Sequence, residues 1–228
     1  RIGVVTTGKS YLDIRQAFEM LGLDEDFAKA KGIKIYKVAC VYPMEPEGLK
    51  DFAKGLEEVF VIEEKRPVME SQIKDILYNL PADQRPRIVG KSDENGKPLL
   101  WSHYEITPSE VAQALGKRLM RLGADASMEN RLAYLQSRED QAKNTKAAMV
   151  RMPYFCSGCP HSTSTNLPEG SRALAGIGCH FMSVWMDRDT STFTHMGAEG
   201  TPWIGQAAFT ETKHIFANIG DGTYTHSG

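Results

Sequence analysis

The hydrophobic positions of the first 120 or so residues change period repeatedly, from continuous runs to helical spacing and back. IGVVTT (2–7) reads as a strand, and SYLDIRQAFEMLG (10–22) as a helix stopped by Gly22. GIKIYKVACVYP (32–43) gives a second strand that places Cys40 as a buried strand residue, and EPEGLKDFAKGLE (45–57) is again helical. EVFVIEE (58–64) is a third strand, PVMESQIKDILYNL (67–80) an amphipathic helix, PRIVGK (86–91) a short fourth strand and DENGKP (93–98) a tight turn. TPSEVAQALGKRLMRLG (107–123) opens with Thr107 as N-cap, Pro108 at the first helical position and Glu110 placed for a capping box. Strand–helix alternation of this length predicts a parallel sheet with helices on both faces.

From Ser127 to Met149 the pattern turns polar and helix-friendly without a clean apolar stripe. It predicts a helical connector packed across two domains, giving an α/β domain over residues 1–123, a connector over 124–150 and a second α/β domain over 151–228. No internal repeats or low-complexity tracts occur.

Composition sharpens that division. Residues 1–150 carry 46 of the 56 charged residues, whereas 151–228 carry 10 of them with three of the four cysteines, five of the six histidines and 10 of the 20 glycines. A charge-poor, glycine- and ligand-rich segment is where a cofactor site is expected. The whole chain, with 228 residues, 41% hydrophobic and 25% charged, is an ordinary soluble composition. A net charge of −2 supplies no general pull toward nucleic acid or an anionic membrane. No apolar run approaches the roughly 20 residues that cross a bilayer. RIGVVTTGKSY has no signal-peptide layout, and Arg1 stands where an initiator Met would, so the sequence reads as a piece of something longer. Four cysteines without a secretion signal point to a reducing cytoplasm.

Three motifs carry possible chemistry. Gly3, Gly8, Lys9 and Ser10 spell the P-loop pattern, but Gly3 precedes Val4 and Val5, which belong inside the strand, so no strand leads into the loop. A P-loop NTPase is therefore a minor reading. Cys156 and Cys159 form a C-x-x-C pair with His161 just beyond. Pro160 breaks the haem-attachment pattern, and a disulfide is out of place in a cytosolic chain. Zinc could use Cys156, Cys159, His161 and Cys179 or His180; an iron–sulfur cluster would use thiolates and finds one too few. Both stay open on the residues alone. Finally, HIFANI runs into Gly220-Asp221-Gly222, where two glycines allow close backbone approach to a bulky anion and the carboxylate can hold a hard cation such as Mg²⁺.

FCSGCPH, ALAGIGCHFM, THMGAEGTPWIGQ and NIGDGTYTHSG, in that order and spacing, resemble the thiamine-diphosphate domain of the indolepyruvate ferredoxin oxidoreductases, most closely the long fused bacterial form. TTGKSYLDIRQAFEMLG and VIEEKRPVMESQIKDILYNLP resemble the preceding domain there, which is similar to the transketolase C-terminal domain. The resemblance implies oxidative decarboxylation of an aryl 2-oxo acid such as indole-3-pyruvate, with coenzyme A taking the arylacetyl group and ferredoxin the electrons. It implies Asp221 as a Mg²⁺ ligand and Cys156, Cys159 and Cys179 as three ligands of a [4Fe-4S] cluster whose fourth lies downstream. It places Gly176, Ile177, Gly178, Met196, Gly197, Glu199, Gly220, Asp221 and Gly222 in the cofactor cradle. His161, His195 and His226 are candidates for orienting substrate or cofactor, against the alternative of structural histidines; no catalytic residue is assigned. Trp185 and Trp203 read as core, and Lys9, Glu63 and Glu64 as solvated or domain-interface residues.

The expectation is a transketolase-C-like parallel-sheet domain followed by a truncated thiamine-diphosphate-binding α/β domain. Such a fragment would be inactive alone and would need the enzyme's remaining domains, in a cytoplasmic homo-oligomer when full length. A zinc- or iron–sulfur-binding, non-catalytic interaction module is the alternative.

Overall fold

The computed structural model describes residues 1–123, 126–145 and 149–227, in two compact units, Arg1–Lys146 and Ala147–Gly228. In chain order the first unit contains β1 (Ile2–Thr6), α1 (Ser10–Leu21), α2 (Glu25–Lys31), β2 (Ile33–Lys37), α3 (Pro46–Ala53), β3 (Glu58–Ile62), α4 (Val68–Tyr78), β4 (Arg87–Val89), α5 (Pro108–Leu119) and α6 (Ala126–Asn144). Every position of β1 and β3 is buried, and strands buried on both faces must be central and covered above and below. The all-parallel order β2-β1-β3-β4 meets that demand. Alternation then sorts the two faces. Ile2, Val4, Phe60 and Ile62 pack with α1, α5 and α6, whereas Val5, Val59 and Val61 pack with α3 and α4.

The capping box forms as its residues predict: Thr107 Oγ1 accepts the Glu110 N–H at 3.3 Å and Glu110 accepts the Thr107 N–H at 2.8 Å. α2 was not anticipated, although Asp24 caps it by accepting the Phe27 N–H at 2.7 Å and Gly32 ends it at φ 67°. The segment expected as a connector is helical over Ala126–Asn144, and it buries Met128 and Leu135 in the same cluster as α1 and α5. Residues 124, 125 and 146–148 of that segment lie outside the described residues.

β2 ends at Lys37, opposite Thr6, because β1 itself ends there and offers no partner further on. Cys40 is consequently exposed in the following loop rather than buried in a strand. Glu63 is not solvated. It is buried at the end of β3 and accepts the N–H groups of Val68, Met69 and Glu70 at 3.0, 2.8 and 2.9 Å, capping α4, whose N-cap residue is Pro67 and supplies no side-chain bond. Lys9 pairs with Asp13 at 2.9 Å and Glu105 at 2.8 Å, with Glu64 at 3.8 Å. Gly3 sits mid-strand, where a Cβ would lie 2.4 Å from Leu56 Cδ1. The P-loop reading falls: its first glycine is a packing position and its lysine is already engaged.

The second unit contains α7 (His161–Ser164), β5 (Ala173–Ala175), β6 (Thr190–Phe193), α8 (Thr201–Gln206), β7 (Phe216–Ala217) and α9 (Asp221–Ser227). Its parallel sheet, in the order β6-β5-β7, has a buried centre in β5 and exposed residues along β6 and β7. Trp185 is therefore half-exposed rather than core, and Trp203 is partly buried with the Arg172 guanidinium 5.5 Å from its ring. Both units are α/β with parallel sheets, consistent with a transketolase-C-like unit followed by one of the thiamine-diphosphate type. Among the described residues no helix is long and apolar enough to cross a membrane.

Buried Arg118 ties the first unit's sheet to its surface. Its Nε donates to Glu58 Oε1 at 2.7 Å, a second guanidinium contact closes the bidentate pair, and Nη1 reaches Glu94 at 2.7 Å. Arg121 also pairs with Glu94. The Glu94 carboxyl is held down to about 2 from 4.5, first by its own backbone N–H and then by Arg118 and Arg121. A depressed carboxyl contributes stability fully above its unfolded value and loses it as pH falls through the folded one. Between pH 4.5 and about 2, the urea midpoint should fall more steeply for this protein than for Glu94→Gln; equal slopes would exclude the linkage.

Candidate functional site

The site begins where two parallel neighbours end together. β5 runs into Gly176-Ile177-Gly178 and β7 into Asn218-Ile219-Gly220, with the Asn218 N–H still bonded to the Leu174 carbonyl at 3.2 Å. At Gly176 a Cβ would stand 1.9 Å from the Asn218 carbonyl oxygen and 2.6 Å from His180 Nε2. Backbone cannot yield at that distance, so this position requires glycine. Gly178 (φ 148°) turns the chain into a 3-10 helix over Cys179–Trp185, whose second residue, His180, folds back beneath both strand ends. His180 is buried, and its backbone carbonyl accepts the Ser183 hydroxyl at 2.5 Å.

These turns surround a cavity of about 570 Å³. It brings together the expected residues Ile177, Gly178, Cys179, Met196, Gly220, Asp221 and Gly222, and His161 also reaches it. The sequence reading does not single out Asn218, Ile219 or Thr223, and considers His180 only as a zinc ligand. Ile219, Thr223 and His180 all line the cavity. The only signal that could have found Asn218 and Thr223 is their position as small polar residues flanking the G-D-G turn.

Gly176, Gly197 and Glu199 stand beside the cavity rather than on its wall. The Glu199 carboxylate accepts the Gly197 N–H at 2.8 Å. Burial works against its charge, but N–H groups of its own backbone, Gly197 and Ile177, with the Thr223 hydroxyl, outweigh this and keep the carboxyl below its usual range. His180 is kept below the ordinary imidazole range by burial and by neighbouring His161. His180 Nε2, Glu199 Oε1, Asn218 Nδ2 and Thr223 Oγ1 are all buried without a hydrogen bond of ordinary geometry. These four polar atoms gather where β5 and β7 end, beside the cavity.

The C-x-x-C turn lies outside the cavity wall. Cys159 N–H donates to the Cys156 carbonyl at 3.0 Å around Gly158 (φ 73°), and Cys159 Sγ lies 3.1 Å from His161 Nδ1. The His161 ring stacks on Phe155 at 5.6 Å and on His180 at 5.9 Å, linking the thiol turn to the cavity through packed rings. All four cysteines are free, Cys156 and Cys179 exposed and Cys159 partly buried. Among the described residues no three His, Cys, Asp or Glu side chains converge on one metal position, so neither a zinc set nor a cluster set is assembled. His195 and His226 are exposed and do not line the cavity.

The residues fit a magnesium-bound diphosphate better than a cluster. Asp221 is exposed at the cavity and Gly222 has open space where a Cβ would go.

Residues 1–142 match the family model described as an indolepyruvate oxidoreductase domain. The whole chain aligns with the indolepyruvate oxidoreductase subunit IorA of Thermococcus kodakarensis at 28% identity and covers 35% of that relative. The corresponding values are 27% and 35% for Pyrococcus horikoshii and 26% and 33% for Archaeoglobus fulgidus, again over 100% of this chain. The chain thus spans about a third of the length of the curated relatives it matches.

The close approach at Gly176 predicts a sharp contrast between two glycines. Gly176→Ala should lower stability by about 2 kcal/mol or more, because its methyl group meets backbone. Gly222→Ala, pointing into open space, should stay within about 0.5 kcal/mol of the parent. Urea unfolding followed by circular dichroism separates the two; equal effects would remove the steric argument.

Proposed function

The chain belongs to the indolepyruvate oxidoreductase family, and we propose that it is an internal piece of an enzyme that oxidatively decarboxylates aryl pyruvates such as indole-3-pyruvate. The arylacetyl group passes to coenzyme A and two electrons pass to ferredoxin. The observation that carries this reading is the cavity at the shared end of β5 and β7, where a glycine–carboxylate–glycine turn faces the Gly176–Gly178 turn across unpartnered buried polar atoms. In this reading residues 1–123 are the transketolase-C-like domain, 124–150 the connector and 151–228 the opening part of the thiamine-diphosphate domain.

Thiamine diphosphate, when bound, supplies the electron sink for decarboxylation. The chain's own residues bind and orient it. Asp221 holds Mg²⁺, and the backbone of Gly220 and Gly222, with the Thr223 hydroxyl, receives the diphosphate. Ile177 and Met196 give the cavity apolar wall, and the close packing at Gly176 and Gly178 fixes its floor. Glu199, anchored by the Gly197 and Ile177 N–H groups and held below its usual range, sets a carboxylate beside the Thr223 hydroxyl at the cavity's edge. Cys156, Cys159 and Cys179 are three ligands of a [4Fe-4S] cluster, with the fourth supplied from elsewhere in the longer protein. The free state of all three thiols supports this, although their present arrangement does not converge. His161 and His226 stay candidates for orienting substrate. The fragment alone is inactive, and the working enzyme is a cytoplasmic homo-oligomer that includes the remaining domains.

In the full-length protein, Asp221→Ala should weaken Mg²⁺-dependent thiamine diphosphate binding by calorimetry beyond the roughly 10–100-fold typical of losing an outer-shell partner. Unchanged binding would refute the role of Asp221. Anaerobic reconstitution should give a brown protein whose cluster spectrum is lost in Cys156→Ser. A colourless protein holding tight zinc would overturn the cluster assignment.

A further inference from the structure

Glu199 stands behind the cavity wall of the second unit rather than on it, and the loop that carries it has a shape of its own. Leaving β6, the chain folds around the Ala198 carbonyl, which accepts the hydroxyls of Thr194 and Thr201, both at 2.7 Å, and the Thr201 N–H at 3.1 Å. The Ala198 N–H returns to the His195 carbonyl at 3.0 Å. Gly200, at φ 81°, lets the loop settle onto β7, where a Cβ would lie 3.2 Å from the Ala217 Cβ. Glu199 sits between these two anchored residues, so the loop itself sets where its side chain starts.

From there the carboxylate gathers donors from three strand ends. Oε2 accepts the Gly197 N–H at 2.8 Å, in the loop after β6. The Ile177 N–H, in the turn after β5, also donates to the carboxylate, and the buried Thr223 hydroxyl, in the first turn of α9 after β7, lies against it. Ile177 and Thr223 both line the cavity, and Met196 lines it one residue before Gly197. The turns after β5 and β7 already approach closely, since a Cβ at Gly220 would stand 3.0 Å from the Ile177 carbonyl oxygen. Glu199 thus touches the wall from behind at the residues that flank this approach.

We propose that Glu199 is a positioning residue for the cofactor cavity: its carboxylate clasps the loops that follow β5, β6 and β7 and so holds the Asp221 turn against the Ile177 turn. The proposal rests on the reading of Asp221 as the Mg²⁺ ligand. The number of donors explains why an acid stands here. An ionised carboxylate is acceptor-only, with about four lone-pair sites, whereas the glutamine isostere has a single acceptor oxygen and turns an NH₂ group toward other donors. Bonds to a charged oxygen are also roughly twice as strong as neutral ones. Thr223 follows Asp221 by two residues, so fixing Thr223 fixes the backbone from which the Mg²⁺-holding carboxylate projects. Glu199 therefore acts through Ile177 and Thr223, without meeting the ligand itself.

Two measurements on the full-length protein test the clasp, with Glu199→Gln as the variant. Without cofactor, hydrogen exchange resolved to single amides should speed up about tenfold or more at Ile177 and Gly197, since each loses a bond to a charged group. The Asn218 amide, bonded across the sheet to the Leu174 carbonyl at 3.2 Å, should keep its protection. By calorimetry, Mg²⁺-dependent thiamine diphosphate binding should weaken roughly 10–100-fold, the range for losing an outer-shell partner, and less than in Asp221→Ala. Unchanged exchange at Ile177 and Gly197 would overturn the clasp. So would exchange raised equally at Asn218, which marks a general loosening, or full affinity in Glu199→Gln beside a loss in Asp221→Ala. Should Asp221→Ala bind as the parent does, the Mg²⁺ reading fails instead, and the exchange pattern alone upholds or overturns the clasp.

Discussion

Two strand ends touching backbone to backbone are the constraint on which the second unit's site depends. Gly176 and the Asn218 carbonyl approach so closely that no side chain can stand between them, and His180 fills the space below. Because the parallel strands cannot be moved apart, the loops leaving them diverge from a common point: one toward Cys179, the other toward Asp221. The cavity is the space between those loops. Glycine at Gly176 is therefore demanded by proximity rather than by flexibility. That distinction matters, since a proximity glycine fixes geometry where a hinge glycine would release it.

Much of the first unit was legible because its signals are local. The buried runs of β1 and β3, the helical spacing of α1, α4 and α5, and the Thr107 capping box each follow from residues a few positions apart. What escaped is long-range. Glu63 looks like half of a solvated acidic pair until α4 folds back and presents three unpaired N–H groups to it. Cys40 looks like a strand residue until β1 proves too short to pair with it. Trp185 looks like core because it is large and apolar, but the sheet beside it is exposed along β6 and β7.

The site divides in the same way. The turns rich in glycine could be read directly, because close approach leaves few other residues possible, and the structure gathers Ile177, Gly178, Gly220, Asp221 and Gly222 around one cavity. Convergence of thiols could not be read, because it depends on where two separate turns, that of Cys156 and Cys159 and that of Cys179, end in space. Cys159 instead lies against His161, two residues away, whose ring is clamped between Phe155 and His180. Sequence order places a cysteine near a site; only tertiary packing decides whether its sulfur points at a shared centre.

The two units also treat buried polarity differently, and the difference separates scaffold from site. In the first unit, buried Glu58, Glu63, Glu70 and Arg118 all have hydrogen-bonded partners. Among the described residues, buried side-chain atoms without a well-formed hydrogen bond fall on Arg172, Asn218 and His180 in the second unit, where Thr223 and Glu199 lie against one another, and on Thr6 alone in the first. Each such atom costs on the order of 1–3 kcal/mol when left unmade. A ligand that reaches these atoms restores bonds already missing, so it stabilises the unit as it binds, by mass action on the folded state. Polar atoms already held at fixed positions can meet a polar ligand without reorganising, which is what preorganisation means at the level of individual hydrogen bonds.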